Sequence, residues 1–268
     1  MNFNKIPFIK NIPEWNKLAV KMKMELAVKG KDNFKKDFEN RYFSGRFPRT
    51  SLEMSAIWQL YNHIKKIDTL DLLNKIQESE KGNPQQIKIK ENDYSWDWLQ
   101  AIEEFYSIIN EFKIDTTKHI TICEIGAGYG RLAEVFLKVF KNVKYIIVDI
   151  EPTLDLAKWY LDDKRVVCIN PYDKNFPKAL KSKIDLFINV DSFQEMGSGI
   201  IANYFDIMIR TGYKYIYLKN AESGVHNLCN TLNFNLIHYP EEVRMKIIKQ
   251  RRSLTAEDMV EQFIIKKV

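Results

Sequence analysis

Three glycines, each separated by one residue, lie between an apolar run and an amphipathic segment in the middle of the chain. The apolar run Ile120–Ile125 leads into Gly126, and the segment after Gly130 places its apolar side chains on one helical face. A second apolar run, residues 145–148, ends at Asp149. This order of strand, glycine turn, helix, strand and acid predicts the first half of a nucleotide-binding α/β unit.

The spacing of these glycines distinguishes between two classes of ligand. A dinucleotide-binding turn reads G-x-G-x-x-G, and its third glycine lets helix and strand pack closely around a pyrophosphate. Arg131, which is long and charged, occupies that third position here. The glycines fall instead at Gly126, Gly128 and Gly130, with Glu124 two residues before the first. The pattern therefore argues against an NAD-dependent oxidoreductase.

The pattern Glu-x-Gly-x-Gly-x-Gly, followed by an acid after the next strand, resembles the first motifs of the class I S-adenosylmethionine-dependent methyltransferases. The resemblance implies S-adenosylmethionine as cofactor and S-adenosylhomocysteine as product. It assigns the glycine turn to the amino-acid end of the cofactor and Asp149 to the ribose hydroxyls. The residues it implies at the cofactor are Glu124, Gly126, Ala127, Gly128, Tyr129, Gly130, Asp149, Ile150, Asn170, Asn189 and Asp191.

Alternation of strand and helix continues through the second half of the chain. Further strands are expected at residues 165–170, 184–190 and 213–218, and residues 234–238 and 262–266 are expected to form an antiparallel pair. We therefore predict a Rossmann-like class I methyltransferase fold, an α/β fold with a mainly parallel seven-stranded sheet flanked by helices. This cofactor-binding domain is expected to span residues 118–268.

The first part of the chain, residues 1–117, is expected to form a helical extension that caps the cofactor domain and binds substrate. Helices are predicted at residues 14–28, 68–77 and 97–112, and a further helix is predicted to begin with a capping box of Thr50 and Glu53. The polar segment 78–86 is the best candidate for a mobile loop.

Residues just after the fourth strand are expected to face the reacting centre, because ligands bind beyond the carboxyl ends of parallel strands. The segment NVDSFQEM places Asp191 and Glu195 there, and His226 follows the fifth strand. These three are the candidate general bases. The alternatives are a helix cap for Asp191, a solvated or helix-supporting role for Glu195 and a surface position for His226.

The segments EIGAGYGRLAEVFLK, VDIEPTLDLAKWYL and NVDSFQEM together resemble, more narrowly, the sugar O-methyltransferases of bacterial surface-polysaccharide gene clusters. The resemblance covers residues 120–196. It implies methylation of a hydroxyl on a sugar, or on a sugar-linked intermediate that bears a nucleotide or phosphate, in capsule or lipopolysaccharide biosynthesis. Other acceptors left open are a phosphate or phosphoramidate, a small natural product and a tRNA base, and a non-catalytic protein on this fold is a further alternative.

A cationic and aromatic segment in the first part of the chain is a candidate contact for the acceptor. It contains Arg41, Tyr42, Arg46 and Arg49, and arginine forks suit phosphate oxygens while aromatic rings stack on bases. The alternative is a basic loop that packs its aromatic rings beneath the helices. A second cationic run, residues 244–252, is expected to be the solvated face of a helix.

Composition limits the class of protein. With 45% hydrophobic and 28% charged residues, the 268-residue chain is typical of a soluble globular protein, and its net charge of +6 is too modest to indicate nucleic-acid binding. Three dispersed cysteines predict neither a disulfide framework nor a zinc site, and no ligand spacing predicts another metal. No apolar run could span a bilayer, so a cytoplasmic location is expected. A homodimer is left open.

Overall fold

The computed structural model describes residues 13–36, 50–173, 176, 180, 183–221, 245–256 and 258–266. The helices within these residues are α1 (Pro13–Lys29), α2 (Ser51–Ile67), α3 (Leu72–Lys75), α4 (Trp96–Phe112), α5 (Arg131–Val139), α6 (Thr153–Leu161) and α7 (Ser198–Thr211). The strands are β1 (Ile87–Ile89), β2 (Asn92–Tyr94), β3 (Ile120–Ile125), β4 (Val143–Val148), β5 (Val166–Ile169), β6 (Leu186–Val190), β7 (Tyr215–Ala221), β8 (Met245–Arg252) and β9 (Met259–Lys266). None of the helices in these ranges is long and apolar enough to cross a membrane.

Seven strands form one sheet in the order β5-β4-β3-β6-β7-β9-β8. The first five of these are parallel, whereas β9 pairs antiparallel with both β7 and β8. The order reverses direction at β3 and β6, and such a switch point opens a crevice beyond the carboxyl ends of the strands. The strand order and the flanking helices confirm the predicted Rossmann-like class I methyltransferase fold.

Both faces of the sheet are covered. Along β3, Ile122 packs on the face that carries α4 and α5, while Cys123 and Ile125 pack on the opposite face with α7. Such two-sided burial accounts for the continuous apolar runs of the parallel strands, because successive side chains point to opposite faces. Apolar residues of α2, Ile57 and Ile64, belong to the same buried cluster as the first face.

Helix α4 confirms the helix predicted at residues 97–112, and it packs charged as well as apolar side chains against the sheet domain. Glu104 is fully buried, and its carboxylate accepts hydrogen bonds from Arg131 at 2.9 Å and Lys219 at 2.8 Å. Burial alone would raise the pKa of Glu104, but these two cations hold it below its usual range. A buried ion-pair network therefore joins α4 to the start of α5 and to β7.

Side-chain caps mark the starts of α2 and α4. Thr50 accepts a hydrogen bond from the backbone N–H of Glu53 at 3.2 Å, and the Glu53 carboxylate accepts one from the backbone N–H of Thr50 at 3.0 Å. The predicted capping box is thus confirmed. Ser95 caps α4 in a similar way by accepting from the backbone N–H of Trp98 at 3.0 Å.

Three local predictions were wrong. Residues 245–252 of the second cationic run form the edge strand β8 and not a helix face. The strand predicted at 234–238 lies outside the described residues and stays a prediction. The helix predicted at 68–77 is reduced to α3: the Asp68 carboxylate accepts from the N–H groups of Leu72 and Leu73 at its start, and Ile76 adopts an extended conformation at its end. The polar segment 78–86 is held by buried contacts, since Glu78 is only 6% exposed and accepts from Lys35 at 2.7 Å.

Candidate active site

The glycine turn connects the end of β3 to the start of α5. Gly126 and Gly128 have φ angles of 71° and 58°, in the left-handed region that favours glycine. A Cβ at Gly126 would lie 2.5 Å from Ser192 Cβ and still closer to its Oγ, whereas a Cβ at Gly128 would meet no atom within 4 Å. Gly126 is therefore required by packing, while Gly128 borders open space at the carboxyl edge of the sheet.

Asp149 follows β4 and lies directly beside this turn. Its carboxylate accepts hydrogen bonds from the Gly128 N–H at 2.8 Å, the Ile150 N–H at 2.7 Å and the Thr153 hydroxyl at 2.8 Å. Burial raises the pKa of Asp149 to about 6, although these three hydrogen bonds act in the opposite direction. The acid predicted to follow the second strand is thus next to the open side of the glycine turn.

Ile150 and Asn170 follow β4 and β5 and reach the same edge of the sheet, and both are half-buried. The Asn170 side-chain oxygen accepts from the Tyr172 N–H at 2.9 Å, and the Ile150 carbonyl accepts from Leu154 N–H at 3.0 Å. Ala127 is buried at the turn itself. Contact of these three residues with a cofactor stays a prediction.

Glu124 and Asn189 lie beneath the turn and are buried. Burial raises the pKa of Glu124 to about 8, and its carboxylate accepts from the Tyr145 hydroxyl at 2.7 Å. The Asn189 amide donates to the Ile125 carbonyl at 2.8 Å and accepts from the Asn220 side chain at 3.0 Å. These bonds connect β3 to β4, β6 and β7, so both side chains support the turn, and the predicted cofactor contact stays a prediction.

The segment after β6 carries the two candidate bases of the described residues. Asp191 is exposed, adopts a left-handed φ of 55° and accepts a hydrogen bond from the Gln194 side chain. The residues that follow it, Phe193–Glu195, form a 3₁₀ turn, so Asp191 does not cap an α-helix there.

Glu195 ends this 3₁₀ turn and is half-buried. Burial, together with the negative charges of Asp191 and Asp149, raises the pKa of Glu195 to about 8. The three carboxyl groups therefore share one region at the carboxyl edge of the sheet. A carboxyl group with a pKa near neutrality is suited to proton transfer.

Two side chains of this edge were not anticipated from the sequence. Thr153 donates to Asp149, and its position four residues after that acid is the signal that could have indicated the contact. The Gln194 side-chain amide donates to Asp191, and its Oε1 accepts from the Ala221 N–H at 2.5 Å. No sequence pattern indicates these two contacts of Gln194. Thr153 and Gln194 each hold an acidic side chain in place.

Tyr129 and Gly130 are buried, and the Tyr129 hydroxyl donates to Asp97 at 2.9 Å, so contact of either residue with a cofactor stays a prediction. The other predicted site residues lie outside the described residues: Arg41, Tyr42, Arg46, Arg49 and His226. Within the described ranges, no group of three or more His, Cys, Asp or Glu side chains is placed to hold a metal ion.

Comparison with solved structures finds methyltransferases. A SAM dependent methyltransferase from Aquifex aeolicus is 12% identical with a TM-score of 0.46, over 60% of this chain and 88% of that one. The glycopeptide N-methyltransferase MtfA complexed with sinefungin is 11% identical with a TM-score of 0.45, over 61% and 85%. The mitomycin 7-O-methyltransferase MmcR is 12% identical with a TM-score of 0.44, over 81% and 69%.

No protein-family model and no curated protein matches the sequence. At these identities and TM-scores the similarity is one of structure only, and the fold assignment rests on the strand order and on the position of the glycine turn within it.

Proposed function

We propose that the protein is a methyltransferase that uses S-adenosylmethionine. The observation that carries this proposal is the pairing of Gly128 with Asp149: the glycine leaves room on the outer side of the turn, and the acid stands 2.8 Å from its N–H group. An acid in this place accepts hydrogen bonds from ribose hydroxyls, and a bare backbone admits the rest of the ligand.

The residues present fit this cofactor. Gly126, Gly128 and Gly130 would form the wall against its amino-acid end, and Asp149 would accept from the ribose hydroxyls. With a pKa of about 6, Asp149 is mostly ionised at neutral pH and accepts strong, charge-assisted hydrogen bonds. When bound, the cofactor supplies an electrophilic methyl group to an acceptor held in line with it.

Glu195 is the general base that we propose among the described residues. A hydroxyl acceptor is a weak nucleophile, so removal of its proton as the new bond forms accelerates the reaction. Glu195 combines a half-buried position with a pKa of about 8, so its ionised form takes up a proton readily near neutral pH. Asp191, which is exposed, then contributes charge beside Glu195, and His226 remains a further candidate base.

For the acceptor we propose a sugar, or a sugar-linked intermediate that bears a nucleotide or phosphate, in capsule or lipopolysaccharide biosynthesis. The support is the resemblance of residues 120–196 to sugar O-methyltransferases and the presence of acids suited to a hydroxyl acceptor. Arg41, Tyr42, Arg46 and Arg49 would contact the phosphate or base. Residues 1–117 would then form the substrate-binding part, and residues 118–268 the cofactor domain, of a cytoplasmic enzyme.

Calorimetric titration with S-adenosylhomocysteine tests the cofactor. Asp149→Asn keeps the shape of the side chain but removes its charge, and we expect it to lose about 1.5 to 3 kcal/mol of binding free energy. Asp155→Asn is the matched control, because that exposed acid lies on α6 and pairs with Lys158 at 3.3 Å. Binding of NADH instead, or equal binding by Asp149→Asn and the wild type, would contradict the proposal.

Screening of nucleotide-sugars for methyl transfer tests the acceptor. We expect Arg46→Ala to raise the apparent KM of a phosphate-bearing acceptor and to leave cofactor affinity unchanged, because arginine binds phosphate oxygens with two parallel hydrogen bonds. Unchanged acceptor kinetics would remove the arginine segment from the site. Methyl transfer to no sugar acceptor would leave the cofactor proposal standing and refute the sugar.

A further inference from the structure

Lys35 is buried, with only 4% of its surface exposed, although lysine is rarely buried without partners. Its Nζ donates to Glu78 Oε1 and to the Tyr160 hydroxyl, both at 2.7 Å. The same Nζ lies 4.2 Å from the ring centroid of Tyr160 and 4.8 Å from that of Tyr129. At such distances the face of an aromatic ring attracts a cation.

Tyr129 belongs to the glycine turn and points away from its open side. Its ring packs edge-on against Phe34 and Tyr160, with centroids 5.0 Å and 5.1 Å apart, and its hydroxyl donates to Asp97 at 2.9 Å. We call the group of Phe34, Lys35, Glu78, Tyr129 and Tyr160 the Lys35 box. The two neighbours of Tyr129 are glycines with positive φ, so local backbone preference does not fix the conformation of the turn. The packing of Tyr129 in the Lys35 box stabilises the turn from the side opposite its open side.

The segment that supplies Lys35 is itself bonded to the polar segment 78–86. The Lys35 N–H donates to the Gly82 carbonyl at 2.8 Å, and the Gln85 side chain donates to the Lys36 carbonyl at 2.6 Å. A Cβ at Gly82 would lie 2.6 Å from the Phe34 ring at Cδ1, which shows how closely the two segments pack. The contacts that hold residues 31–36 against the segment 78–86 therefore also place the Lys35 ammonium beside Glu78.

We propose that Lys35 is a positioning residue for the cofactor: through Tyr129 it fixes the glycine turn in the conformation that binds S-adenosylmethionine. The inference rests on the proposed function. The cofactor would contact the open side of the turn and Lys35 holds the opposite side, so each stabilises the arrangement that the other needs. Linkage requires this coupling to be reciprocal.

The test replaces the ammonium by an apolar group of similar length. Lys35→Met is combined with Glu78→Gln, so that no buried carboxylate is left without its cation. Lys35→Arg retains the charge and serves as the conservative variant. Lys81→Met is the matched control, because the Lys81 Nζ also contacts α6 but does so at Trp159, donating to its carbonyl at 2.8 Å.

Affinity for S-adenosylhomocysteine is measured by calorimetry at a temperature at which circular dichroism shows every variant folded. We expect the double variant to bind at least about tenfold more weakly than the wild type, in the range of typical coupling between sites. Lys35→Arg should recover part of this loss, and Lys81→Met should bind like the wild type. Equal affinity of the folded double variant and the wild type would overturn the inference.

A variant cycle separates positioning from general stabilisation. If Lys35 acts through Tyr129, the loss caused by the double variant should largely disappear in a Tyr129→Leu background. A full loss in that background would overturn the inference. If Tyr129→Leu does not fold, recovery of affinity by Lys35→Arg decides between positioning and general stabilisation. Failure of the wild type to bind S-adenosylhomocysteine would instead refute the proposed function, and this inference with it.

Discussion

Alanine at Gly126 should mainly lower stability and alanine at Gly128 should mainly weaken cofactor binding, although the two glycines are only two residues apart. Both have positive φ, but an added methyl group at Gly126 meets Ser192, whereas one at Gly128 enters open space. Ser192 cannot move aside freely, because its hydroxyl accepts from Asn189 at 2.5 Å and donates to the Ile125 carbonyl at 3.3 Å.

The magnitudes follow from two contributions. A non-glycine residue in the left-handed region costs about 1 to 2 kcal/mol, and both variants carry this cost. Steric overlap in a packed interior adds about 1 to 3 kcal/mol at Gly126. We therefore expect Gly126→Ala to lower the free energy of unfolding by about 2 to 5 kcal/mol, and Gly128→Ala by about 1 to 2 kcal/mol.

Cofactor affinity should be the property that Gly128→Ala changes most, although this variant is the more stable of the two. The methyl group of Gly128→Ala would occupy the space proposed for the cofactor, so affinity for S-adenosylhomocysteine should fall well beyond what its small loss of stability explains. Urea unfolding gives the stability of each variant, and calorimetry on the folded proteins gives the affinity.

Removal of the Ser192 side chain provides the control. In a Ser192→Gly background, the cost of Gly126→Ala should fall to the backbone contribution that Gly128→Ala also carries. Equal destabilisation by the two alanine variants in the wild-type background, or unchanged cofactor affinity of Gly128→Ala, would refute this reasoning.

Four further predictions concern Glu195, the cap of α2 and the buried ion pairs of Glu104. The folded protein holds the Glu195 proton more tightly than the unfolded chain, with a pKa of about 8 against 4.5, so urea unfolding should show the wild type losing stability relative to Glu195→Gln as pH rises between these values. In initial-rate assays, kcat/KM should rise with pH through about 8 in the wild type and lose this limb in Glu195→Gln. Thr50→Ala should cost about 1 kcal/mol in urea unfolding and Thr50→Ser much less, because serine retains the cap. Glu104→Ala should lower stability by about 3 to 5 kcal/mol, because it leaves Arg131 and Lys219 buried without their counter-ion, and a loss below 1 kcal/mol would contradict the buried network.

Elements with a strong local signal were predictable from the sequence. The run Ile120–Ile125 is mainly apolar and is buried throughout because both faces of the strand are covered, and the spacing of Trp98, Ile102 and Phe105 matches one face of a helix. The acid beside the glycine turn was also predictable, because parallel strands bring their carboxyl ends to one edge.

Other features depend on contacts between residues far apart in the sequence. The cationic run was expected to be a helix face, yet β8 is a strand because β9 pairs with it, and lysine and arginine show no preference that would reveal this. Glu78 looked solvated among polar neighbours, but its partner Lys35 lies 43 residues away. The raised pKa of Glu195 likewise arises from burial and from Asp191 and Asp149, which only the fold brings near it.

The partners of helix α4 have a consequence for synthesis on the ribosome. Glu104 pairs with Lys219, which is 115 residues later, and Ser107 accepts from Arg251, which is 144 residues later. Phe112 stacks on Tyr215 with ring centroids 4.6 Å apart. The inward face of α4 therefore emerges long before the strands that cover it, and it stays exposed while they are translated. Nascent chains in this interval are the ones that we expect chaperones to bind.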